Sequence, residues 1–140
     1  MTTTIDSRRT LLPFVLTVIA LAIAVQVVVA LDGGRIGLPA AVATVVLALY
    51  YAWFLIARRH ELRRLRFGPY LAHAATFAVV ITSFHLHLFV RASTGEWART
   101  GFPLDEGWFG AVVAMTALWG LGLLVHTVSA ISQRGFEDRP

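Results

Sequence analysis

The chain has no cysteine and no lysine, and charged side chains make up only 14% of its 140 residues. Without cysteine there can be no disulfide, thiolate metal site, iron–sulfur cluster or covalent c-type haem attachment, so any metal ligand must be His, Met or an oxygen. The low charge excludes an ordinary soluble domain, whose surface requires roughly a quarter of its residues to be charged. With 57% hydrophobic residues and a mean hydropathy of +0.70, the chain belongs in a lipid bilayer. Its net charge of +4 does not indicate nucleic acid, because all twelve basic residues are Arg and five of them fall within residues 58–66. A cluster of that kind, lying between apolar runs, is explained by membrane topology.

Four uncharged runs are each long enough to cross a hydrocarbon core of about 30 Å, which takes roughly 20 helical residues. The first covers residues 11–31 and contains one polar interior residue, Gln26. It is longer than the roughly 7–15 apolar residues of a signal peptide and is read as a span. Asp32-Gly33-Gly34-Arg35 is a tight turn that folds the second run, 36–57, back as an antiparallel partner. Pro39 falls in the first turn of that run, where a missing N–H costs little. Tyr50, Tyr51 and Trp53 near its far end suit an interfacial aromatic belt.

Arg58 to Arg66 carries five Arg against one Glu, which places this connection in the cytoplasm. Four crossings then put both termini inside as well. His60, in this solvated segment, reads as a surface residue. The third run, 69–90, holds His73, His85 and His87 with Thr76, Thr82 and Ser83. Helical spacing aligns His73, Phe77, Val80, Phe84 and His87 on one face and turns His85 away. At about 1.5 Å per residue, His73 and His87 are about 21 Å apart along the axis and cannot share one small ion. The longest outside connection, 91–106, includes Trp97 and Phe102 and is expected to fold onto the outer membrane surface. The fourth run, 107–132, opens with Trp108-Phe109 at the outer interface and aligns Trp108, Val112, Met115, Trp119, Gly122, His126 and Ser129. Gly122, one turn before His126, is expected to let a helix or a flat ligand approach.

Phe67-Gly68-Pro69-Tyr70-Leu71-Ala72-His73 and Trp119-Gly120-Leu121-Gly122-Leu123-Leu124-Val125-His126 are the stretches that carry the chemistry. Each sets a histidine about a turn inside an apolar run, where a polar side chain is expensive enough to imply a role. Together, residues 66–131 resemble the two-transmembrane domain family of bacterial membrane proteins. The Trp-Gly-x-Gly-Leu-x-x-His motif of that family is matched by Trp119 to His126. Its earlier His-Leu-x-x-Tyr-like motif is matched at His73, with Ala74 and Phe77 in place of Leu and Tyr. The resemblance implies signalling or anchoring in a bacterial cytoplasmic membrane.

The expected fold is all-α: an integral membrane four-helix bundle of two antiparallel transmembrane hairpins, 11–57 and 67–132. His73 and His126 fall at matching depth and are expected to meet, either as a hydrogen-bonded clamp with the imidazoles bonded to each other, to Thr76 or to backbone carbonyls, or as axial ligands of haem b. The residues expected to form such a site are His73, His126, His87, Gly122, Phe77 and Trp119. A zinc or copper site would need three or four converging ligands, and a proton relay would include an intramembrane carboxylate, which the four runs lack. Nucleophilic catalysis and phosphate-binding loops find no support. The sequence therefore points to a non-catalytic sensory, adaptor or anchoring module. A haem b protein for electron transfer or sensing is the alternative, and a structural subunit of a larger membrane complex the third reading. The expected partners are the lipid bilayer and, through Gly110, Ala114, Gly120 and Gly122, a second copy of the chain; nucleic acid is not among them.

Overall fold

In the computed structural model, residues 7–65, 67–95 and 106–134 are described. The outer-loop residues Trp97 and Phe102, and the polar tail beyond Arg134, lie outside the described residues. The elements are α1 (Ser7–Leu31), α2 (Leu38–Ala57), the short α3 (Arg59–Arg64), α4 (Gly68–Ser93), α5 (Glu106–Phe109), a π-helical segment (Gly110–Ala114) and α6 (Met115–Arg134). There is no strand among the described residues. Four stretches are long and apolar enough to cross a membrane: Arg9–Leu31, Leu38–Ala57, Gly68–Ser93 and Glu106–Ser132.

The turn after α1 forms for the reason its sequence suggests. Gly33 and Gly34 have φ of +68° and +78°, a region that costs a side-chain-bearing residue about 1–2 kcal/mol. The Gly34 N–H bonds the Val29 carbonyl at 2.9 Å and the Gly33 N–H bonds that of Ala30 at 3.2 Å, the Schellman pattern that satisfies the last helical carbonyls. Pro39 and Pro69 both occupy the first positions of their helices, α2 and α4, as expected. Pro13 lies inside α1, which begins at Ser7, four residues before the apolar run itself.

Helix α1 packs chiefly on α2 and α4, and α4 also carries α6 and the π-helical segment. The core has two parts. At the turn end, Val25, Val29, Leu47, Val80, Phe84 and Trp108 are buried together. At the Arg-rich end, Phe14, Val18, Phe54, Leu62 and Ala72 form the second part, with Phe14 and Phe54 stacked at a centroid distance of 4.0 Å. Outward faces are largely apolar: Ile56 is 70% exposed and Leu118 72%. Such faces are at home in hydrocarbon and are a liability in water.

Arg58 interrupts the helix with φ −103° and ψ 16°, and α3 begins at Arg59. Two contacts hold α3: Leu62 is buried in the core, and the Thr10 hydroxyl donates to Glu61 Oε2 at 3.1 Å. Glu61 also accepts from Arg58 Nη1 at 2.6 Å.

Trp108, expected at the outer interface, is fully buried within the protein, its indole N–H donating to the Gly34 carbonyl of the turn at 2.8 Å. Phe109 remains exposed. Tyr51 likewise turns inward, whereas Trp53, 59% exposed, retains the orientation of a belt residue.

Candidate functional site

His73 lies just over one turn into α4 and faces α2 on one side and α6 on the other. Its Nδ1 is 2.7 Å from the Tyr51 hydroxyl, and its Nε2 accepts the Trp119 indole N–H at 2.9 Å. An indole nitrogen can only donate, so in the neutral ring Nε2 is the bare nitrogen and Nδ1–H donates to Tyr51. A single imidazole thereby ties three helices together. Phe77 extends the cluster, meeting Trp119 edge to face at 5.8 Å.

His126 reaches the same cluster, as the matching depths suggest, but through its ring. Its centroid is 5.1 Å from that of His73 in an edge-on arrangement. The two imidazoles share no hydrogen bond, because both nitrogens of His73 are already engaged. Thr76 is not their partner either: it is buried and donates to the Ala72 carbonyl at 2.9 Å. His126 itself is exposed.

Of the other expected site residues, Gly122 and His87 stand apart. A Cβ added at Gly122 would meet nothing within 4 Å, so that position opens on empty space. Gly120 is the glycine facing the cluster, with Phe77 3.8 Å from the position of its missing Cβ. His87 belongs to a second polar group nearer the glycine turn. There its Nδ1–H donates to Gln26 Oε1 at 2.8 Å, while Gln26 Nε2 donates to Ser83 Oγ at 3.0 Å. The His87 ring also packs edge-on against Trp108 at 5.4 Å. In the same region Arg91 Nη1 donates to the Gly34 carbonyl at 2.6 Å and its guanidinium lies 5.4 Å from the Trp108 ring centroid.

No protein-family model, curated protein or solved structure matches the chain. Its chemistry is therefore read from these contacts.

Haem does not fit the His73 cluster as it is built. An axial imidazole must offer iron a free lone pair, and the one on His73 accepts from Trp119. The edge-on contact with His126 leaves no gap between the rings for a flat macrocycle. Among the described residues, no three His, Asp or Glu side chains come together to hold a metal ion. What the arrangement does well is lock helices: it satisfies a hydroxyl, an indole N–H and an imidazole in a medium that offers them no water.

Tyr51 was the residue that sequence reasoning missed. It lies six residues before the end of α2, and His73 lies five after the start of α4, so the two share one depth. An aromatic run near a helix end reads first as a belt, and that hid the pairing.

Proposed function

We propose that this protein is a small non-catalytic membrane module of the two-transmembrane domain kind, acting as a sensory, adaptor or anchoring unit in a bacterial cytoplasmic membrane. Its four spans form a bundle of two antiparallel hairpins, with the termini and the Arg58–Arg64 segment in the cytoplasm. The observation that carries this reading is the full engagement of His73, whose two nitrogens are spent on Tyr51 and Trp119. An imidazole used in that way holds helices in register and has neither nitrogen free for acid–base or ligand chemistry. It stands at the end of the helices from which α3 and its Arg side chains emerge, where anionic headgroups attract basic segments.

The visible absorption spectrum of protein purified after expression with added haem precursor tests the reading. A featureless spectrum is expected. A Soret band that disappears in His73→Ala or His126→Ala would overturn the non-catalytic module in favour of haem binding.

A further inference from the structure

Helix α3 is only six residues long, Arg59–Arg64, yet three separate contacts fix it to the bundle. Leu62 is 1% exposed and packs with Phe14, Phe54 and Ala72. Glu61 accepts from the Thr10 hydroxyl at 3.1 Å, which ties α3 to the start of α1. The third contact is at Gly68, the first residue of α4. A Cβ there would collide with the Leu62 carbonyl oxygen and stand 2.9 Å from the Leu62 Cα, so the two backbones approach as only a glycine allows. Arginines that served only to set membrane orientation would need no such fixing, because that bias depends on their number and not on their geometry.

The fixed helix sorts its side chains. At about 100° per residue, Arg59, His60, Arg63 and Arg64 occupy a continuous arc of about 140°, and the anchored Glu61 and Leu62 fall on the opposite side. All four residues of the arc are exposed. The one acid of the segment is already engaged, since Glu61 also accepts from Arg58 Nη1 at 2.6 Å. Arg59, Arg63 and Arg64 have no acidic partner among the described residues.

The position of α3 decides what this face meets. One residue, Arg58, separates it from α2, and three, 65–67, separate it from α4. Both neighbours are long and apolar enough to cross a membrane, so α3 is held at the level where they leave the hydrocarbon. Phosphate groups of lipids lie at that level. A guanidinium offers phosphate paired N–H donors, and its long stem lets the charged head reach the headgroups. All twelve basic residues of the chain are Arg and none is Lys.

We propose, on the basis of the membrane module described above, that the Arg59, Arg63 and Arg64 face of α3 is a fixed docking surface for the headgroups of anionic phospholipids. No part of the His73 cluster is involved.

The test is native mass spectrometry of the full-length protein in a neutral detergent. It is titrated with phosphatidylglycerol, with phosphatidylcholine of the same acyl chains, whose phosphate carries its own cation, and with a single-stranded oligonucleotide as a soluble polyanion. Phosphatidylglycerol should bind tightest. An arginine beside an anionic headgroup is worth about fivefold in affinity, so Arg59→Gln and Arg63→Gln should each weaken phosphatidylglycerol by about that factor and leave phosphatidylcholine unchanged. Arg35→Gln, in the turn at the other end of α1, should affect neither lipid. Gly68→Val keeps every charge but cannot seat α3, and it should lose much of the preference. Thr10→Val, which removes only the hydroxyl tether, should shift the preference the same way and stands in if Gly68→Val does not fold. Equal binding of the two lipids, unchanged binding in both arginine variants, an effect of Arg35→Gln as large as theirs, or tighter binding of the oligonucleotide would overturn the assignment. A preference retained in full by folded Gly68→Val and by Thr10→Val would overturn it as well, by showing that charge alone suffices without a fixed face. Failure here is separate from failure of the module reading, which a Soret band would reveal, and in detergent the result does not depend on which side is the cytoplasm.

Discussion

Trp119 donates its indole N–H to Nε2 of His73 at 2.9 Å, and this bond joins the two sequence stretches that carry the histidines. The energetic partner of His73 is therefore Trp119, with Tyr51 on the other nitrogen, and not His126. Replacing His73 by Ala strands an indole N–H and a phenol in hydrocarbon and should destabilise the protein by about 1–3 kcal/mol. Trp119→Phe keeps the ring contact with Phe77 and loses only the bond, at about 0.6–2 kcal/mol. The double variant should cost less than the sum, because both changes remove the same interaction. His126→Ala, which removes a ring contact alone, should cost well under His73→Ala. Reversible unfolding in mixed detergent measures all four, and strict additivity of His73→Ala with Trp119→Phe would show that the bond contributes nothing.

The fold was legible in the sequence to the extent that it depends on run length and turn chemistry. Four spans, the Gly33-Gly34 turn and both helix-starting prolines follow from rules that act within a few residues. The meeting of His73 with His126 was also legible, because depth in a membrane can be counted along a helix. Which atoms bond was not. That depends on rotation about the helix axis, and the π-helical segment at Gly110–Ala114 alters the rotation of everything before it relative to everything after. Gly122 opens on empty space while Gly120 faces Phe77. Gln26 and His87 are 61 residues apart in sequence and on different helices, and no local pattern announces their bond.

Gly34 is the junction between the first turn and the second half of the chain. Its carbonyl accepts from both Trp108 Nε1 and Arg91 Nη1, and a Cβ on it would stand 2.8 Å from Arg91 Cζ. With φ at +78°, Gly34→Ala should lose about 1–2 kcal/mol from backbone strain, and more because the guanidinium must move off the carbonyl. Gly33→Ala has the same kind of φ but nothing within 4 Å of its Cβ, so it should suffer the strain alone. Thermal unfolding of the two variants separates the contributions. A Gly34→Ala variant no less stable than Gly33→Ala would mean that the Arg91 contact is without consequence.

Acid should loosen α3. The hydrogen bond from Arg58 holds the Glu61 carboxyl below the usual carboxylate range, helped by the hydrogen bond from Thr10 and opposed by partial burial. A carboxyl with a lowered folded-state pKa contributes stability that is fully present above its unfolded value, and it is lost as pH falls through the lowered one. For Glu61 that window begins near the ordinary glutamate pKa of about 4.3 and extends downward. The Thr10 hydroxyl then loses its charged acceptor, while the burial of Leu62 is unaffected. Glu61→Gln removes this titration while keeping the shape, so the gap in unfolding temperature between parent and variant should be constant at neutral pH and narrow on acidification below about pH 4. A gap that stays constant down to pH 3, about one unit below the ordinary value, would show that Glu61 does not anchor α3 through its charge.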